Sequence, residues 1–255
     1  MTDTDWGHSR AGSLDIEADA YDHFLWADQS ERQAVLDATS REGFGSPDIQ
    51  WDFLQRTDVA LRVVGRNTPA TFQRRLSLHS SISGWLEAKR RGVPGDLLLL
   101  GNVGTGKTQQ IWTIYRYIWL AHAQGRWPVT VASMNNGPMR VETTSAVLTR
   151  LRAWGNIGKA LDNIEDDPHV LMQRLTDAPL LALDDVGTKT VDETDVDHLF
   201  ALIDTRWANQ RPSIVSSNLT IKELTAALGE RIVSRVKDGS TLVTIEGLDR
   251  RAPAA

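Results

Sequence analysis

Eight consecutive residues, Gly101-Asn102-Val103-Gly104-Thr105-Gly106-Lys107-Thr108, carry the pattern G-x-x-x-x-G-K-[ST]. They follow the apolar run Leu97-Leu98-Leu99-Leu100 and precede a long helical pattern that begins at Gln109. That setting, between a buried strand and a helix, gives the motif its meaning. Glycines let the backbone curl until its N–H groups point at phosphate oxygens, and the helix start adds its positive dipole end. In such a loop Lys107 is expected to reach the β- and γ-phosphates of a nucleotide, and the Thr108 hydroxyl to ligate Mg²⁺.

A phosphate loop needs acids beside it. Pro179-Leu180-Leu181-Ala182-Leu183-Asp184-Asp185 is an apolar strand ending in two carboxylates. Coupled to the loop, Asp184 reads as the metal's partner and Asp185 as the group that orients water. Asp-Asp-Val-Gly alone would equally suit a solvated turn. Ser213-Ile214-Val215-Ser216-Ser217-Asn218 is a further strand with a polar end. Asn218 there could hold a water near a γ-phosphate or simply cap the next helix. Gly229-Glu230-Arg231-Ile232-Val233-Ser234-Arg235 sets two arginines four apart on one helix face. Arginine suits a transferring phosphoryl group, although spacing alone favours surface pairing with Glu230 or Asp238.

These residues must be positioned by an alternating framework. Strands are expected over residues 96–100, 129–133, 180–184, 213–217 and 242–246, with helical patterns following the first four. A helix over 80–91 stops at Gly92-Val93-Pro94-Gly95. Buried strands alternating with helices imply a parallel sheet covered on both faces, with the ligand at the strands' carboxyl ends. The aromatics after the loop, Trp112, Tyr115, Tyr117 and Trp119, interleave with Ile111, Ile114 and Ile118 and read as packing against that sheet. Residues 1–67 form a separate regime, with helices expected over 21–40 and 48–64 and a disordered start. Residues 68–255 form the α/β domain.

Taken in order, these motifs resemble the DnaC/IstB-type helicase-loader branch of the AAA+ ATPases, over about residues 97–251. Gly101–Thr108 corresponds to its Walker A motif and Leu183-Asp184-Asp185-Val186-Gly187 to its Walker B motif. Ser216-Ser217-Asn218-Leu219 matches its sensor 1, and Gly229–Arg235 its Gly-Glu-Arg-x-x-Ser-Arg box. Arg206-Trp207 stands where the family has Arg-Tyr. The resemblance implies an ATPase using ATP and Mg²⁺, with Asn218 as sensor 1 and Arg235 as an arginine finger reaching a neighbouring subunit. It further implies support from Arg231 and a sensor-2 role for Arg251, beside Arg250. It implies a homo-oligomer on single-stranded DNA that loads a replicative helicase. The alternative in the same branch is a transposition helper that recruits a transposase.

Composition narrows the remaining classes. The 255 residues are 41% hydrophobic, enough for a real core, and carry a net charge of −5, which argues against wholesale wrapping of nucleic acid. The resemblance implies local DNA contacts in the helical insertion ahead of the Walker B motif, at Arg150, Arg152 and Lys159. No apolar stretch approaches the roughly 20 residues that cross a bilayer. With no cysteine, a reducing cytoplasm is the expected compartment. Trp26, Trp51 and Phe53 are candidate anchors for a protein partner, or a small local core.

Overall fold

The computed structural model describes residues 47–73, 77–128, 137–153, 167–188, 191–247 and 249, with backbone alone at 47–55 and 153. The helix expected over 21–40, the strand expected over 129–133, Trp26, Lys159 and Arg251 lie outside the described residues, as do the side chains of Trp51 and Phe53.

The described chain opens with α1 (Pro47–Asn67) and a single 3-10 turn at Ala70–Phe72, then α2 (Ser80–Arg90), β1 (Leu97–Leu100) and α3 (Lys107–Ala123). There follow β2 (Arg140–Thr143), α4 (Thr144–Ala153), α5 (Pro168–Asp177), β3 (Leu181–Asp184) and α6 (Glu193–Ala208). The last elements are β4 (Ser213–Ser217), α7 (Ile221–Leu228), α8 (Glu230–Lys237) and β5 (Thr241–Thr244). Residues from Arg56 onward belong to one compact unit. Within it α1 buries Thr57, Ala60, Leu61 and Val64, one helical stripe.

The strands form one five-stranded sheet in the order β2-β3-β4-β1-β5, with every pair parallel. This is the helix-covered parallel sheet expected from the sequence. One strand is not among those expected: β2, Arg140–Thr143, whose partly exposed Arg-Val-Glu-Thr lacks the apolar run that marks a central strand. Among the described strands it pairs with β3 alone, at one end of the strand order.

β1 shows how four leucines serve two cores. Successive side chains alternate across a strand. Leu97 and Leu99 accordingly join Ile82, Leu86, Ile111, Ile114 and Ile118 on the α2 and α3 side. Leu98 and Leu100 join Val147, Leu175, Leu202 and Ile232 on the side of α4 to α8. The aromatics of α3 pack as expected: Tyr115 is buried, and Trp112, Tyr117 and Trp119 lie against the same core. None of the described helices is long and apolar enough to cross a membrane.

The amino ends of the strands are closed by buried charge. Arg206, 1% exposed, donates to the carbonyls of Leu175, Thr176, Ala178 and Pro212 and to the Ser213 hydroxyl. It thereby joins the end of α5 to the starts of β3 and β4. Burial pulls its pKa down to about 9, so it stays charged at neutral pH. Asp96 accepts from the Ser213 N–H at 2.8 Å. Burial pushes its carboxyl up to about 6, opposed by that N–H and by Arg206 and Lys89. Because this folded value exceeds the unfolded one near 3.8, the folded state holds the proton more tightly. The contribution of Asp96 to stability therefore falls as pH rises from about 4 to about 6. Asp96→Asn is expected to flatten the pH dependence of urea unfolding across that window. An identical dependence in the variant would place the titration elsewhere.

Candidate nucleotide site

The site lies at the carboxyl ends of β1, β3 and β4. The loop after β1 needs glycine where backbone crowds it. Gly101 has φ +150° and a Cβ there would overlap the Ile245 carbonyl; Gly104 has φ +80° and a Cβ would overlap the Asp249 carboxylate. Gly106, with φ +106°, leads into α3, which starts at Lys107 with no side-chain cap. The first N–H groups of α3 thus face the loop's interior without a competing side chain.

Lys107 is 5% exposed. Its Nζ donates to the carbonyls of Gly101 (2.7 Å) and Asn102 (2.8 Å) and to Asn218 Oδ1 (2.5 Å). Thr105 steadies the loop from inside, its hydroxyl donating to the Asn102 carbonyl at 2.9 Å. Val103 at the loop's tip is 54% exposed. The Thr108 hydroxyl donates to Asp184 Oδ2 at 2.8 Å.

Asp184 ends β3, 3% exposed. Its second oxygen accepts from the Ser216 hydroxyl on the neighbouring β4, and its carbonyl accepts from Thr144 at 3.0 Å. Burial pushes its pKa up; the Ser216 and Thr108 hydroxyls pull it down, Asp185 pushes it up and Lys107 pulls it down. Asp185, by contrast, is exposed, at φ +58°. That left-handed turn swings its carboxylate out of the sheet, and its N–H donates to Ser216 Oγ at 3.0 Å. Asn218 Nδ2 lies 3.5 Å from Asp185 Oδ1. One asparagine therefore touches both the lysine of the loop and the outer acid. The alternative role for Asn218, capping α7, belongs instead to Thr220, which forms a capping box with Glu223.

The segment ahead of the sheet is clamped to α3. Gln109 and Arg116 donate to the Phe72 carbonyl (3.0 and 2.5 Å), and Gln110 exchanges bonds with Ser77 and His79.

Arg231 and Arg235 lie apart from this cluster. Neither pairs with Glu230 or Asp238, the partners that spacing favoured. Arg231 stacks on Phe200 of α6 (4.1 Å), and Arg235 stacks on Trp207 (3.9 Å) while donating to Asp204 at 2.8 Å. The reason is tertiary: α8 packs on α6, and the stripe Phe200, Asp204, Trp207 runs along the contact. Arg150 pairs with Glu142 at 2.6 Å, and Arg152 with the buried Asp195, lining a cleft beside Asp185. Sequence reading missed Thr144 and the link from Ser216 to both acids. The consecutive polar residues Ser216-Ser217-Asn218 at the end of β4 were the available signal.

No family model matches the chain. Over 79 residues it is 29% identical to the replicative helicase loader DnaC of Escherichia coli K12, a match covering 31% of this chain and 32% of that one. The same figures hold for DnaC of Shigella flexneri. The chain resembles the DnaC-type branch of the AAA+ ATPases. The matched stretch spans about a third of the length of these curated relatives. Among solved structures, the DnaC helicase loader superposes with a TM-score of 0.49 at 18% identity, over 69% of this chain and 96% of that one. AMPPCP-bound DnaA from Aquifex aeolicus gives 0.48 at 18%, over 67% and 48%. The sheet is parallel throughout, with the phosphate loop between β1 and α3.

Ser216 is the test of the acid pair's setting. Ser216→Ala leaves the buried Asp184 oxygen and the Asp185 N–H without their hydroxyl partner. A loss of about 1–3 kcal/mol in urea unfolding is expected. An unchanged midpoint would show that another group satisfies Asp184.

Proposed function

We propose that this chain is an ATP-hydrolysing AAA+ loader of a replicative DNA helicase, acting as a homo-oligomer on single-stranded DNA. The observation that carries the reading is the single cluster of Lys107, Thr108, Asp184, Asp185 and Asn218 at the strand ends. The similarity to replicative helicase loaders over 79 residues supports the partner.

The chemistry follows from each group's setting. Lys107 now rests on two carbonyls and an amide oxygen, acceptors that phosphate oxygens would replace with a stronger charge-assisted bond. Thr108 and Asp184 present hard oxygens side by side, a donor set suited to Mg²⁺. Bound there, the ion would neutralise charge on the β- and γ-phosphate oxygens. Asp185, outside the sheet and open to solvent, would orient and accept a proton from water, with Asn218 holding that water in line. Arg235 would act on the nucleotide of a neighbouring copy, with Arg231 beside it. Arg251 would serve as sensor 2, and residues 1–67 would contact the helicase. To engage single-stranded DNA, Arg150 and Arg152 would exchange their acid partners for phosphates, a trade that salt opposes.

Lys107→Ala is expected to abolish binding of a fluorescent ATP analogue while leaving the melting temperature within a few degrees. Unchanged affinity would remove the nucleotide site.

The assembly has a sharper consequence. Arg235→Ala keeps the phosphate loop, and Lys107→Ala keeps the arginine. Each is expected to be inactive alone, yet a mixed interface joins an intact loop to an intact arginine. ATPase activity should reappear on mixing and rise with protein concentration. Co-assembly without any recovery would place Arg235 in its own subunit's chemistry. For the partner, affinity purification from native cells is expected to recover a hexameric helicase; recovery of a transposase would overturn that assignment.

A further inference from the structure

The setting of Arg235 bears on how it works. Its Nε donates to Asp204 Oδ1 at 2.8 Å, and its guanidinium lies 3.9 Å above the Trp207 ring. Trp207 is itself tethered, its Nε1 donating to Asp238 Oδ2 at 2.9 Å. No hydrogen bond to either terminal nitrogen of Arg235 occurs among the described residues. The side chains of Arg235 and Asp204 are each 37% exposed, and Trp207 is among the few exposed large apolar residues.

An ion pair this exposed adds little to stability. Its geometry is more informative. An acid that meant to neutralise an arginine would take the fork of two terminal nitrogens, the face that grips carboxylate or phosphate bidentately. Asp204 takes the single Nε–H instead and leaves that fork without a hydrogen bond among the described residues. A tryptophan face supplies the strongest cation–π support of any side chain. It fixes the plane of the guanidinium without using a donor. Arg231 offers an internal contrast: it has the aromatic platform, Phe200, and no acid partner among the described residues.

We propose that Asp204 and Trp207 are positioning residues for Arg235, holding its guanidinium in plane and by Nε so that the terminal fork is presented to the phosphoryl oxygens of a neighbouring copy's nucleotide. The inference rests on the trans role of Arg235 proposed above. A long, freely rotating arginine would have to be ordered at each encounter; here that ordering precedes assembly. Misplacement by about 1 Å can cost up to about 100-fold in rate.

The test compares wild type, Asp204→Asn, Trp207→Leu, Trp207→Phe, Arg235→Ala and the double variant Asp204→Asn/Arg235→Ala. Asp204→Asn and Trp207→Leu are expected to lower kcat about tenfold at saturating protein, with ATP affinity unchanged. Trp207→Phe should recover most of the loss, which tests the ring face rather than bulk. The double variant should match the residual turnover of Arg235→Ala, because Asp204 acts through the arginine. Turnover equal to or above wild type in Asp204→Asn and Trp207→Leu, with Arg235→Ala reduced to a residual rate, would overturn the positioning role and leave the trans arginine standing. A further loss from that residual rate in the double variant would also overturn it. Full turnover in Arg235→Ala would remove both. A second measurement is independent of turnover. The Nε–H resonance of Arg235, assigned by its loss in Arg235→Lys, should exchange slowly in wild type and rapidly in Asp204→Asn. Equal exchange in both would overturn the proposal.

Discussion

A carboxylate taken out of water at the end of β3 is the constraint on which sheet and site both depend. A buried charge is tolerated only where hydrogen bonds replace its hydration. Asp184 finds those bonds on two other elements: Thr108 in the first turn of α3 and Ser216 on β4. Its backbone carbonyl adds a third, from Thr144 at the start of α4. Satisfying one acid therefore brings the ends of two strands and the starts of two helices to one point. The apolar residues alone could not do this. A strand such as Leu97–Leu100 is buried on both faces and looks the same after a slip of one residue or two. Register must come from polar pairs at the ends. Asp96 with the Ser213 N–H fixes β1 against β4 at the amino end, and Asp184 with Ser216 fixes β3 against β4 at the carboxyl end.

The two ends of the sheet solve the same physical problem with different consequences. At the amino end Arg206 is surrounded by carbonyls and Asp96 by an N–H and cations, so the charges are consumed within the fold. At the carboxyl end the neighbouring groups are left half-used. Asp185 is turned into solvent, and Lys107 is held by acceptors weaker than phosphate. The difference between a structural charge cluster and a candidate catalytic one is visible in which partners are already spent.

How much of this was legible in the sequence depended on whether a feature was local. The phosphate loop, the acid pair and the polar end of β4 are each written in a few adjacent residues, and Ser213–Ser217 was bounded to the residue. Strand Arg140–Thr143 was not legible, because an edge strand with partly exposed side chains has no apolar signature. The environment of Arg231 and Arg235 was equally hidden. Spacing proposed Glu230 and Asp238, neighbours in the chain, whereas the actual partners Phe200, Asp204 and Trp207 come from a helix about thirty residues earlier. The stripe they form is readable on α6 at spacings of four and three. Nothing in α6 alone says what lies on it.

The placement of the arginines also constrains how nucleotide and assembly can influence each other. On the proposed reading, the cluster of Lys107, Thr108, Asp184, Asp185 and Asn218 would hold phosphate, metal and water. Arg231 and Arg235 stand instead on the α6–α8 face, bonded to neither the loop nor the acids among the described residues. On the proposed arrangement, a nucleotide in one copy is completed by the α6–α8 face of the next. Any affinity that contact adds to the nucleotide must then be returned, by the same factor, to the affinity of the copies for each other. Binding ATP would assemble the protein, and assembly would tighten ATP, through one arginine. On the same proposal, hydrolysis would remove the γ-phosphate that the arginine would grip, so the linkage that builds the oligomer would loosen it after turnover. The proposed loader would have to hold its cargo and then let go, and one shared contact would supply both directions.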